Sequence, residues 1–447
     1  MKKSVKKGLI ILFWLVVWTL LALFVNNRIL MVTPLETVRE LFCLLGDGAF
    51  YASVGRSLLR ISTGFFAGFC AAVALAAGSR RCPLLEELLS PLMSLLKAIP
   101  VASFVVLLLI WWGSSFLAVA ICFLVVLPNL YINTLEGLKN TDEKLLEMAQ
   151  VFRLPFRNRF FYIYRPALKP FLYSGMKISL GMCWKSGVAA EVIGTPDFSI
   201  GEQLYLSKIY LNTAGVFAWT AVIILLSMLF ERLVLKGTDA FFAWQPSCRR
   251  PEPSAEKGSI AQAKEKKDEV PTATCGGGIV LTGLDKSFEK QKVLDGVSAT
   301  YEPGQVYYLR QPSGSGKTTL LRILAGLIKP DRGSVAVPGT VSMVFQEDRL
   351  CEEYSAIKNV ELVCGDRKKA QEALAELLEH EALEKPCAYL SGGMKRRVAL
   401  VRAMEADSAF VLLDEPFTGM DAETRVRAEK YIQARQNHRT LIIATHI

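Results

Sequence analysis

The sequence predicts a chain of two parts: an all-α polytopic membrane domain of about six transmembrane helices, then an α/β domain with largely parallel strands. Three observations carry this. Nearly every long apolar run of the 447 residues lies before Leu235. From Ile279 onward, short β-rich runs alternate with helical stretches, the pattern of an α/β layer. Between the two, residues 246–278 combine Pro, Ser, Lys, Glu and Gly with almost no large apolar side chain. Such a segment cannot bury enough surface to offset the entropy of ordering, and it reads as a flexible tether. The expected domains are therefore 1–245, 246–278 and 279–447.

The first part is justified run by run. Crossing a bilayer core of about 30 Å takes roughly 20 helical residues, and suitable runs fall at 8–25, 60–79, 89–112, 115–135, 170–193 and 215–235. The first follows MKKSVKK and lacks an evident small-residue cleavage site, so it reads as an anchor, with a signal peptide as the alternative. Pro91 and Pro100 interrupt the third, which could begin as an interfacial helix. Lys2, Lys3, Lys6 and Lys7 before the first span, Arg80 and Arg81 after the second, and the basic loop 136–169 follow the positive-inside pattern. Six spans then return the chain to the cytosol at Lys236. The same pattern accounts for much of the formal net charge of +10, so the lipid bilayer is the expected surrounding and nucleic acid is not an expected partner. Ten cysteines stand singly with no CxxC pair, which argues against a disulfide framework or a zinc site.

The fifth run carries Lys177, Lys185 and Glu191. Ionisable groups at membrane depth are functional candidates by default, and Lys185 is a candidate for the path of an anionic substrate. The alternative is a lysine that pairs with another helix or snorkels.

The loop after the fourth run contains EMAQVFRLPFRNRFFYIYRPAL, residues 147–168. It resembles the EAA loop of binding-protein-dependent ABC permeases. Glu147, Ala149, Ile163 and Pro166 fall in register with that pattern, while Met148, Arg153 and Arg165 depart from it. The resemblance implies a short coupling helix that docks into a cleft on an ATPase; the alternative is an ordinary basic cytoplasmic loop. Arg153 stands where the family has glycine, so docking requires Arg153 to adopt a turn that glycine enters cheaply.

In the second part GIVLTGL, VYYLR, VSMVF, AFVLLDE and TLIIATH read as strands. QPSGSGKTTL, residues 311–320, lies between VYYLR and a helix, the context a phosphate-binding loop requires. Ser313, Gly314, Ser315 and Gly316 would bring backbone N–H groups around phosphate oxygens at a helix N-terminus. Lys317 would reach the terminal phosphates, and Thr318, followed by Thr319, would offer a hydroxyl to Mg²⁺. Gln311 occupies the place of the motif's first glycine and is expected to change the loop's entrance and weaken the site. AFVLLDE carries Asp414 to the metal and Glu415 to the attacking water. These groups supply the positioning and charge compensation that phosphoryl transfer needs.

LSGGMKRRVALVRAM, residues 390–404, closely resembles the signature of ABC ATPases, with Ser391, Gly392 and Gly393 opening a helix toward a second nucleotide. Further landmarks of that family follow in order. Phe288 matches the aromatic that stacks on adenine, although a core phenylalanine is the alternative. Gln346 matches the glutamine loop near Mg²⁺ and water, Asp421 the loop at the dimer interface, and His446 the switch histidine. The resemblance implies ATP and Mg²⁺ as cofactors, with Glu415, His446 and Gln346 catalytic. The family's ATPase domains continue beyond this point, so the domain is expected to be short at its C-terminus.

Taken together, the motifs identify a fused permease and ATPase similar to the nitrate, sulfonate and taurine importers. That implies ATP-driven import of a small anion across the cytoplasmic membrane, with the ATPase in the cytosol. It also implies a homodimer with composite ATP sites and a separate extracellular binding protein. An exporter half-transporter and a nucleotide-binding regulator with impaired hydrolysis are the alternatives.

Overall fold

A computed structural model describes residues 3–248, 277–288, 291–312 and 314–445. Of the expected tether, only residues 246–248 and 277–278 fall within that range. The chain divides into two compact units, Met1–Thr141 with Ala167–Trp244, and Asp142–Pro166 with Gln245–Ile447.

The chain begins with α1 (Lys3–Val25), α2 (Pro34–Leu45), α3 (Gly48–Arg81), α4 (Pro83–Ala98) and α5 (Val101–Lys139). Helices α6 (Glu143–Val151) and α7 (Phe156–Arg159) and a π-helical turn, Phe160–Tyr164, belong to the second unit. The first unit resumes through α8 (Arg165–Gly194), α9 (Ile200–Ile209) and α10 (Thr213–Ala243). Local chemistry sets several starts. Thr33 and Glu36 form a reciprocal capping box at α2, and Ser199 and Glu202 do the same at α9, satisfying N–H groups that have no intrahelical partner. Ile61 and Phe65 of α3, Val126 and Leu130 of α5, Leu180 and Trp184 of α8 and Phe230 of α10 form one buried cluster.

Among the described residues four helical stretches are long and apolar enough to cross a membrane: Gly8–Val25, Gly48–Arg81, Val101–Lys139 and Thr213–Ala243. They contain the expected runs 8–25, 60–79, 115–135 and 215–235. The run 170–193 is helical within α8, but its lysines and Glu191 set it apart from those four. The expected third span is corrected: 89–112 is not one helix. Ile99 is extended at φ −72°, ψ 129° because Pro100 disfavours helical backbone in the residue before it. Residues 101–112 instead begin α5, which breaks again at Gly113, φ +71°, a conformation glycine adopts without steric cost.

The second unit is built on two sheets. Its elements are β1 (Ile279–Phe288), β2 (Gln291–Tyr301), β3 (Val306–Arg310), α11 (Lys317–Leu324), β4 (Arg332–Ala336), β5 (Val341–Val344) and α12 (Ala356–Cys364). They continue with α13 (Arg367–Ala375), α14 (His380–Leu383), α15 (Gly392–Met404), β6 (Phe410–Asp414), α16 (Ala422–Ala434) and β7 (Thr440–Thr445). An antiparallel sheet has the order β2-β1-β4, and a parallel sheet the order β3-β7-β6-β5. Every residue of β6 is buried, as suits a central parallel strand covered on both faces. The core joins Leu321, Val344, Val411 and Ile442 to Met148, Ala149, Val151 and Ile163 of the segment 142–166.

Candidate functional site

The phosphate-binding loop leaves β3 at Arg310 and enters α11 at Lys317. Gly316 has φ +86°, and a Cβ there would stand 2.8 Å from Leu294 Cδ2 and 2.9 Å from Val293 O. Backbone conformation and space both demand glycine at this position. Gln311 is not among the residues with positive φ, and it contributes its carbonyl. The Lys317 ammonium donates to Gln311 O at 2.5 Å and to Pro312 O at 3.0 Å. The Ser315 hydroxyl is buried without a hydrogen-bond partner among the described residues, and Thr319 is half-buried in the first turn of α11. Ser313 and His446 lie outside the described residues.

Asp414, at the end of β6, is buried. Burial pushes its carboxyl above the ordinary aspartate value, against a hydrogen bond from Thr318 that lowers it. Its Oδ2 has no hydrogen-bond partner among the described residues. Glu415 follows at φ +50°, and its backbone N–H donates to Ala444 O at 2.9 Å. The Thr418 hydroxyl lies 3.4 Å from Glu415 Oε2. The structure thus brings Lys317, Thr318, Asp414 and Glu415 to the ends of β3 and β6.

The remaining candidates sit further out. Gln346 is exposed just beyond β5. Ser391 caps α15 by accepting from Met394 N at 3.3 Å, with Gly392 exposed and Gly393 half-buried beside it. Asp421 caps α16 through Thr424 N at 2.7 Å. Phe288 is 45% exposed, with the Lys286 ammonium 5.5 Å from its ring centre. Among the described residues, the contacts of Ser391 and Phe288 are with their own surroundings.

The segment 142–166 packs into the core of its own unit. Ala149 and Ile163 are buried in the core. The carboxylate of Glu147 accepts from Arg322 on α11 and from Arg349 after β5, each at 2.6 Å. Lys144 pairs with Glu347 at 2.8 Å. Arg153 takes the left-handed turn, φ +49°, which the sequence requires of it. Pro166 lies in the first turn of α8, beside the buried Arg165, which donates to the Tyr354 hydroxyl at 3.4 Å.

In the first unit Lys185 is exposed on α8. Glu191 is buried and accepts from the Ser57 hydroxyl at 2.6 Å, with Arg60 at 3.8 Å. Sequence reasoning missed these two partners, because only the fold brings α3 against Glu191. It also missed Arg322, Arg349 and the buried Arg396 and Arg402 of α15. Only Arg402 carried a signal, an arginine between Val401 and Ala403 in an apolar stretch of α15, whereas Arg396 is hidden between Lys395 and Arg397.

Comparison with known proteins agrees with this layout. Residues 294–418 match the ABC transporter family, and residues 64–235 match the binding-protein-dependent transport system inner membrane component family. Aliphatic sulfonates import ATP-binding protein SsuB 1 of Nocardia farcinica is 44% identical over 159 residues, 34% of this chain and 64% of that protein. SsuB 2 of Pseudomonas syringae pv. syringae is 41% identical over 174 residues, 38% of this chain and 63% of that one. SsuB 1 of Rhodococcus jostii is 40% identical over 181 residues, 38% of this chain and 73% of that one. The chain therefore spans a little under two thirds of the first two relatives and nearly three quarters of the third. It belongs to the ABC transporter family, with a binding-protein-dependent inner membrane component and an ABC ATP-binding domain fused in one polypeptide.

Proposed function

We propose that the chain is one half of an ATP-driven importer of a small organic anion, an aliphatic sulfonate in the first instance. The observation that carries this is the burial of 142–166 in the core of the ATP-binding unit, with Glu147 clasped by Arg322 and Arg349. Such a segment transmits motion only if the ATP-binding unit itself changes state. The substrate class follows from the relatives, which are named for aliphatic sulfonate import. The exposed Lys185 of α8 is compatible with an anion.

The residues present fit ATP and Mg²⁺. Thr318 and the buried Asp414 Oδ2, without a partner among the described residues, offer the hard oxygen donors that Mg²⁺ takes alongside phosphate oxygens. Bound there, Mg²⁺ would neutralise charge on the transferring phosphoryl group. Lys317 would exchange its two loop carbonyls for phosphate oxygens. Glu415 would orient the attacking water and accept its proton. Ser391, Gly392 and Gly393 would complete the site of a second copy, so that a homodimer holds two composite sites. A separate extracellular binding protein would deliver the anion to a multi-pass assembly in the cytoplasmic membrane. Gln311, one motive for the nucleotide-regulator alternative, offers Lys317 only its carbonyl, which any residue supplies.

The test is ATP hydrolysis and sulfonate uptake by the full chain in liposomes, beside Glu415→Gln and with a cognate binding protein supplied. Turnover in the wild type, uptake that depends on it and loss of both in Glu415→Gln are expected. A wild type that binds ATP without turnover would overturn the transport reading.

A further inference from the structure

We propose that Arg396 is a positioning residue for ATP hydrolysis, one guanidinium that fixes the glutamine loop to the backbone carrying Asp414 and Glu415. The inference rests on the hydrolytic reading above. Arg396 lies on α15, one turn beyond Ser391, and is 3% exposed. Its Nη1 donates to Phe345 O at 2.5 Å and to Gln346 O at 3.4 Å, and lies 3.2 Å from Asp348 Oδ1. Its Nη2 donates to Asp414 O, and to Glu415 O at 2.6 Å, while Nε reaches Glu415 O at 3.2 Å.

Five acceptor atoms on two strand ends thus share one planar fork. A guanidinium presents five N–H donors in fixed directions, whereas lysine carries three on a point charge. An apolar side chain of similar volume would fill the space but leave these carbonyls without their donor, the costly way to lose a buried hydrogen bond. The most heavily used acceptor is the carbonyl of Glu415, whose φ of +50° is unfavourable for a residue with a Cβ and persists only where surroundings hold it. Arg396 grips that strained peptide from two of its nitrogens. The direction of the Glu415 carboxylate follows from the peptide that carries it.

The same helix also connects to Glu147. Arg402 donates to Asp348 O at 3.0 Å and Arg349 O at 2.8 Å. The guanidinium of Arg349 in turn holds Glu147 at 2.6 Å. Residues 348–349, α15 and Arg396 thus join Glu147 to Glu415 within one unit.

ATP turnover and affinity for a fluorescent ATP analogue are measured on the full chain in detergent for wild type, Arg396→Lys and Arg396→Met. The expected result is a kcat lower by about tenfold to a hundredfold in Arg396→Met and by less in Arg396→Lys, with KM and analogue affinity within about threefold of wild type. A residue that only supports the fold would not split kcat from KM. A kcat within about twofold of wild type, a parallel fall of kcat and affinity, or failure of both variants to fold would overturn the positioning role. A wild type that binds the analogue without turnover would overturn the hydrolytic reading instead, and Arg396's role with it.

Discussion

Gln311 stands where the phosphate-loop motif has its first glycine, and its backbone shows why the exchange is cheap. The position has no positive φ, and its carbonyl, which any residue supplies, receives the Lys317 ammonium. The weakening expected from the sequence therefore gives way to a sharper prediction: Gln311→Gly changes ATP affinity by less than about threefold, with a small stability loss from the freer unfolded chain. Titration with a fluorescent ATP analogue checks it. Asp414 behaves in the opposite way. Burial raises its carboxyl above 3.8, so the fold disfavours its ionised form, and stability from this group falls as pH rises through the raised value. Asp414→Asn is predicted to raise the melting temperature of the nucleotide-free ATP-binding unit by about 2–4 °C at neutral pH. That gain should shrink toward pH 4, while stabilisation by Mg²⁺ and ATP is lost. Calorimetry with and without nucleotide reads both effects.

At the scale of elements, α6 and the turn after it were largely legible. Ala149 and Ile163 are buried in the core, Glu147 meets two arginines, and Arg153 takes the turn at φ +49°. What sequence could not supply was the other side of each contact: Arg322 and Arg349 stand 175 and 202 residues from Glu147, and no local pattern links them. The strand that ends at Asp414 was equally readable, since a buried parallel strand writes itself as an unbroken apolar run. The run 89–112 misled because hydropathy is blind to backbone; Pro100 ends α4 whatever the side chains around it prefer. Glu147→Gln follows as an element-scale test. It leaves two arginines facing a neutral amide, which weakens the clasp without emptying it. Uptake per ATP hydrolysed in liposomes should fall severalfold while basal hydrolysis stays within about threefold of wild type. Equal loss of both would assign Glu147 to the fold of the unit.

For the whole molecule, the decisive property is that one chain carries both a phosphate loop and a signature, which a two-fold assembly would place in opposite sites. Lys317→Ala removes the ammonium from the site formed with a chain's own phosphate loop. Ser391→Arg blocks the signature that the same chain offers to its partner. Each variant alone should be inactive, because every dimer then has two damaged sites. When the two are produced together, about half of the dimers are mixed, and in each mixed dimer both lesions fall in one site while the other is wild type throughout. Turnover should then recover to about a quarter of the wild-type value if each intact site works alone. Affinity tags of two kinds isolate the mixed dimers, whose rate per dimer should approach half that of wild type. Should the phosphate loop and signature of one chain serve the same nucleotide, the mixture would be as inactive as its components. The architecture would then be a self-sufficient ATPase tethered to its permease, and Ser391, Gly392 and Gly393 would have to close on their own Lys317.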